Sequence, residues 1–193
     1  MAGEIQLNGT SFASESSGTI TVNNGTLGSS VVFPTGIIQG VAFLAEVTNG
    51  DAGASSTSST LRTLNTEIYA ENCPTTITSN EISFDETGTY LIQASAPAYK
   101  SDGHILRISD DGGSSYIFVG SAAYNAVAAA VQTRSFVFGK VTIGSANITG
   151  GASQKDYGFW QIVSTSKSAN GQGNNNPDTT AEQHLQVQIF RIA

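Results

Sequence analysis

Carboxylates, two imidazoles, one thiol and one indole are the side chains here that could do chemistry, and their spacing limits what chemistry. Asp85 and Glu86 are adjacent. Neighbours on a strand point to opposite faces, so these two cannot act as a pair on one substrate. Asp110 and Asp111 lie in Ser109-Asp110-Asp111-Gly112-Gly113, where Gly and Asp suit the positive φ of a hairpin turn. They could touch a Ca²⁺, but the spacing is not that of an EF-hand loop. Cys73 is the single cysteine, so it belongs to no internal disulfide, and it precedes Pro74 in a turn. His104 and His184 are isolated and lack the close spacing of zinc ligands. Trp160 follows Phe159 on an expected strand, so one ring should point inward and the other outward, where it could stack on a sugar or pack. No G-x-S-x-G elbow, Walker loop or H-E-x-x-H run occurs. The expectation is a non-enzyme without cofactor or metal.

Composition narrows the class. Hydrophobic residues make up 39% of the 193 and charged residues only 12%, about half the usual charged share. Ser, Thr, Asn, Gln and Gly fill the gap, giving a polar, weakly charged surface suited to extracellular or particle-bound β proteins. The net charge of -7 and pI near 4.6 weigh against a nucleic-acid partner, which needs clustered Lys and Arg. Arg62 is the first basic residue, preceded by Glu4, Glu15, Glu46 and Asp51. The N-terminal third is therefore either a solvated acidic surface or one that docks on a basic partner. The opening MAGEIQLNGT has no apolar run of the signal-peptide type, and no window approaches a membrane span. Synthesis in a host bacterial cytoplasm, without membrane insertion, is expected.

The elements that must position these residues read as strands. Up to about residue 36, apolar residues come as short alternating groups: Ile5 and Leu7, then Phe12, then Ile20 and Val22, then Val31 and Phe33. Each piece is too short for a core of its own, so residues 1–60 read as an extended stem or docking arm carried by those seven residues. Pro34-Thr35-Gly36 is a turn and a plausible boundary, and Ile37 to Val47 tips towards strand. From Leu61 the period of two is sustained over about eight strands: 61–69, 81–84, 89–96, 104–109, 116–120, 133–143, 157–165 and 185–192. That pattern predicts an all-β antiparallel two-sheet sandwich over residues 61–193. Ala122 to Val131 reads as a long connection, and Ser166 to Thr180 as a polar surface loop. In the last strand Leu185, Val187 and Ile189 share one face, while Phe190 and Ile192 put apolar groups on the other. A strand apolar on both faces is expected to be covered on both sides, inside an assembly or by the rest of the domain.

The ordered blocks LNTEIYAEN, ISFDETGTYLIQASAPAYKSDGHILRI, YIFVGSAAYN, VQTRSFVFGKVTI and LQVQIFRI resemble the C1q/TNF-like jelly-roll heads of bacteriophage tail fibres and related virion proteins. The resemblance spans about Leu61 to Ala193. It implies a jelly roll that trimerises about a threefold axis, with no enzymatic activity. It also implies aromatic residues meeting near that axis: Tyr90, Phe136 and Phe138 are the candidates, with the core of the subunit as the alternative place for each. Phe190 and Ile192 join them as candidate interface residues. Tyr99 and Lys100 fit an exposed rim. The chain departs from the pattern at Tyr157-Gly158-Phe159-Trp160, where such heads carry a GFG segment, and in the long loop that follows.

Two functions from different classes follow. The first is a trimeric capsid decoration or cement protein on the virion surface, docking on the major capsid protein or another virion protein. The short stretch before the head favours it over a long-shafted fibre. The second is a short tail fibre or fibre tip reading a host surface glycan through loops. Asp110, Asp111, Asn170, Asn174, Asn175 and Asn176 are the candidate receptor-facing residues.

Overall fold

The computed structural model describes residues 4–7, 10–16 and 19–22 as backbone, and residues 38–49, 58–124, 131–163, 171–174 and 180–192 in full. The chain forms two compact units, Met1–Thr35 and Gly36–Ala193. In the first, β1 (Glu4–Leu7), β2 (Thr10–Ser16) and β3 (Thr19–Val22) form an antiparallel three-stranded sheet in the order β1-β2-β3. Ile5 pairs in register with Ala13, and Ala13 with Val22, while Ile20 pairs with Glu15. Leu7 and Phe12 also lie on these strands; Val31 and Phe33 fall outside the described residues.

The second unit begins its regular structure with β4 (Gly40–Thr48), β5 (Thr60–Leu61), β6 (Thr66–Glu71), β7 (Thr75–Thr78) and β8 (Glu81–Phe84). There follow β9 (Gly88–Tyr99), β10 (Gly103–Ser109), β11 (Phe118–Val119), β12 (Ala123–Tyr124), β13 (Gln132–Ile143), β14 (Tyr157–Val163) and β15 (Glu182–Arg191). One sheet runs β13-β9-β15-β4-β6; the other runs β11-β10-β14-β8-β7, with β12 added to β10 and β5 to β14. Every pairing is antiparallel. The pairs nest: β4 with β15, β8 with β14, β9 with β13, and β10 with β11. A strip folded once upon itself and then rolled into two layers gives this nesting, so the fold is an all-β jelly-roll sandwich, as expected. No described residue is in a helix.

Period-two patterning explains the layers. Along β13, Ser135, Val137, Val141 and Ile143 are buried, while Phe136, Phe138, Lys140 and Thr142 are exposed. The inward faces of both sheets make one core. At its centre the Phe84 ring lies 4.2 Å from that of Tyr90 and meets the Tyr157 ring edge-on at 5.6 Å, centroid to centroid. Phe159, Ile92, Leu106, Leu185 and Ile189 fill the space around them.

Two boundaries differ from the sequence reading. The sandwich already includes β4, Gly40–Thr48, ahead of residue 61, because β4 lies between β15 and β6 and buries Ala42 and Leu44 in the common core. The separate N-terminal unit is Met1–Thr35. The expected strand 61–69 is two strands in different sheets: β5 pairs with β14, and β6 pairs with β4. The chain crosses between layers at Arg62–Asn65, where Arg62 turns into the interior.

Of the two places open to Tyr90, the structure shows the core of the subunit: its ring is wholly buried, and its hydroxyl donates to the Glu86 carbonyl at 2.9 Å. Replacing Tyr90 with Ala should cost about 3–5 kcal/mol through the cavity left behind. Tyr90→Phe should cost about 1 kcal/mol for the lost hydrogen bond. Chemical denaturation checks both values, and neither variant should change the oligomeric state seen by sedimentation.

Candidate functional site

The outer face of the β13-β9-β15-β4-β6 sheet is built from the other half of the same alternation. Strand register places Phe138, Gln93, Gln188, Phe43 and Tyr69 in one row across it. The next row is Lys140, Leu91, Phe190, Val41 and Glu71. Phe136 starts a third row, opposite Ser95 and then Gln186. Phe136 is 52% exposed, Phe138 61% and Tyr69 47%, high values for large rings on the flat of a sheet. Phe43 and Tyr69 are tilted rings 6.3 Å apart, and the Tyr69 hydroxyl donates to Glu71. That hydrogen bond raises the Tyr69 pKa. At the β13 edge a groove of about 450 Å³ is lined by Phe136, Phe138, Val119, Ser121 and Gln93 among others.

The face brings together three of the five residues expected at an interface. Phe136 and Phe138 are its most exposed rings, and Phe190 lies half-buried between Leu91 and Val41. Ile192, half-buried, lies beyond the end of β15, its amide bonded to the Thr89 carbonyl. Leu91, Val41, Phe43 and Tyr69 are additions that the sequence reading missed. The signal was there in VAFLAEV, which is apolar on both faces like the last strand.

The loop candidates are scattered. Asp110 pairs with Lys155 at 2.8 Å. The Asp111 carboxylate instead closes its own turn, accepting from Ser109 Oγ at 2.7 Å, Ser115 N at 2.9 Å and Ser115 Oγ at 2.6 Å. Those bonds, the Ser115 hydroxyl first, lower its pKa to about 2. The two acids thus serve different partners, and no group of three or more candidate metal ligands occurs among the described residues. The Asn174 amide donates to Gln132 Oε1 at 2.9 Å; Asn170, Asn175 and Asn176 lie outside the described residues. Asp85 accepts from Thr76 and Thr149, and Glu86 pairs with Arg191, so the adjacent acids indeed diverge. Phe159 points inward and Trp160 outward. The Trp160 ring packs beneath the 112–113 turn, where a Cβ on Gly113 would stand 2.6 Å from it, so it is no open sugar platform. Cys73 is buried, and burial pushes its thiol up to about 11, an inert state.

At one end of the sandwich lies a buried polar cluster that the sequence did not announce. Arg62 is fully buried, and its guanidinium donates to the Glu46 carboxylate, to Gln161 Oε1 at 2.8 Å and to the Gln172 carbonyl at 2.7 Å. Gln161 Nε2 donates to the Pro97 carbonyl at 3.0 Å and lies 3.1 Å from His104 Nδ1. Desolvation lowers the Arg62 pKa, and Glu46 opposes that shift.

No protein-family model matches the chain, and no curated protein matches its sequence. Among solved structures it is similar to murine APRIL at pH 5.0, at 11% identity and a TM-score of 0.48, covering 79% of this chain and 98% of that one. It is likewise similar to the globular domain of zebrafish complement 1qA, at 10% identity and a TM-score of 0.46, covering 80% and 97% of the two chains. The jelly-roll assignment rests on the nested strand pairing.

Removing one partner of a buried pair strands the other charge. Arg62→Ala should therefore destabilise the sandwich by about 3–5 kcal/mol, and more than the double replacement of Glu46 and Arg62 by Met. Urea unfolding of the three proteins tests this order.

Proposed function

We propose that the protein is a homotrimeric, non-enzymatic structural protein of a bacteriophage virion surface. On this reading it decorates the capsid: the jelly roll projects, and the 1–35 unit docks on the major capsid protein or another virion protein. The observation that carries the reading is the outer face, whose exposed aromatic rings flank a polar centre on a sheet whose other side is already the core. A face of that kind is suited to burial against further copies of the chain.

Its charges support a head-to-tail contact. Lys140 stands at the β13 end of a row whose β6 end is Glu71. When the β13 edge of one copy approaches the β6 edge of the next, opposite charges meet around the buried rings. A contact between two different patches closes into a ring when the rotation allows, and the proposed ring has three copies. The acidic balance of the chain goes with a protein partner and not with nucleic acid. The capsid role itself is supported by the sequence resemblance and by a separate β unit ahead of the sandwich. A tail-fibre tip reading host glycans is the weaker alternative, since Trp160 is covered, Asp111 closes its own turn and Asp110 is paired with Lys155.

Sedimentation of the pure protein at tens of micromolar should give a trimer. Phe136→Gln with Phe138→Gln should give a folded monomer with unchanged β-sheet circular dichroism. A monomeric wild type, or a double variant that remains trimeric, would contradict the assembly. Separately, deleting residues 1–35 should abolish binding to undecorated capsids while leaving the trimer intact. Full capsid occupancy by the truncated protein would rule out the docking arm.

A further inference from the structure

We propose that Arg62, Gln161 and His104 form an acid-sensitive latch that holds the segment Gly171–Asn174 against the end of the sandwich and releases it when His104 gains a proton.

The hydrogen bonds run in one direction. Arg62 can only donate, so Gln161 must turn Oε1 towards it, at 2.8 Å. That fixes Gln161 Nε2, a donor, towards His104 Nδ1 at 3.1 Å. Nδ1 must then accept, which places the ring proton on Nε2, facing Thr133 Oγ1 at 3.1 Å. Ser135 Oγ, 2.9 Å from Nδ1, completes the surround. A proton on Nδ1 sets two donors against each other. Flipping the Gln161 amide does not relieve this, because it turns a donor towards Arg62 and an oxygen towards the Pro97 carbonyl. Ser135 Oγ accepts the new proton, but Gln161 then keeps only the Pro97 carbonyl to orient its amide, so the bond set around Arg62 loosens.

The segment joins that set through Gln172, and meets β9 and β13 through Gly171 and Asn174. Arg62 Nη1 donates to the Gln172 carbonyl at 2.7 Å, and the Gly171 carbonyl accepts from the Tyr99 amide at 3.1 Å. Gly173 packs so closely on the His184 ring that a Cβ there would overlap it, in a backbone conformation (φ 146°) that favours glycine. Gln172 itself is only 7% exposed.

The charges set the pH range. Arg62 is the charged group acting on the imidazole, with Glu46 behind it; Thr133, Ser135, Gln161 and the Pro97 carbonyl are neutral. Burial first, then Arg62, lowers the His104 pKa from its ordinary 6.5 to about 4. A depressed imidazole means that the unfolded chain takes the proton more readily. The stabilisation is complete above the ordinary histidine range and is lost as the pH falls towards about 4.

The test is hydrogen exchange at Asn174 and Tyr99 on the full chain, from neutral pH to about pH 3.5, with the free-peptide rate at each pH divided out. An NMR titration of the His104 ring runs alongside. Protection of the Asn174 amide, which donates to Gln132 Oε1, and of the Tyr99 amide, which donates to the Gly171 carbonyl, should fall by about tenfold or more at the midpoint of the ring titration, while β10 and β14 stay protected. His104→Asn should lack the step. Continued protection after His104 titrates would overturn the latch. So would release only together with β10 and β14, or the same step in His104→Asn. If that variant does not fold, the wild-type titration decides alone.

Discussion

A guanidinium without water dictates the geometry at one end of this sandwich. Arg62 has no exposed surface, and a buried cation is tolerated only when it is paired and hydrogen-bonded. Its demands set what surrounds it. β4 must bring Glu46 inward, β14 must bring Gln161, and the segment before β15 must present the Gln172 carbonyl. The crossing from β5 to β6 happens where it does because the side chain that turns inward is this one. A hydrophobic residue in its place would fill the volume but select none of those partners. The cluster therefore does more to specify one arrangement of four chain segments than to add net stability.

The β13-β9-β15-β4-β6 sheet serves two masters through alternation alone. Its inner face lines the core, aliphatic but for the Tyr90 ring, and turns polar at the end where Glu46 and Ser135 lie. Its outer face sets Gln93 beside Gln188 at the centre, with Phe138 on one side and Phe43 and Tyr69 on the other. A polar centre between aromatic flanks can be covered without stranding polar groups only if the covering surface offers hydrogen bonds at matching positions. Such a face discriminates between partners; a uniformly greasy one would not.

Much of the fold was legible because period-two patterning is local. Glu81–Phe84 matches its expected strand, and the strands at 88–99, 132–143, 157–163 and 182–191 fall within a few residues of expectation. What failed was non-local. β7, Thr75–Thr78, is a short Thr-rich edge strand with one apolar residue, Ile77, so it carries no alternation to detect. β4 was legible as a strand, but nothing in its own residues says that its partners are β15 and β6. Tyr90 and Phe138 are both aromatic residues on strands; which side of the sheet each faces follows from register with neighbours, and so from tertiary structure. Arg62 reads as a surface charge because the residues that neutralise it lie at positions 46, 161 and 172.

The nested pairing also has a consequence in time. β15 lies between β9 and β4, and β4 precedes it by some 140 residues. During synthesis the sheet has no middle until its last strand leaves the ribosome. β9 and β13 can pair earlier, but β4 and β9 must each wait with an open edge. Closing the longest loop last is entropically slow and leaves strand edges available to other chains. A nascent chain of this design is thus most vulnerable to wrong partners until β15 emerges, and a small change that delays β15 should favour aggregation even where the finished fold is unharmed.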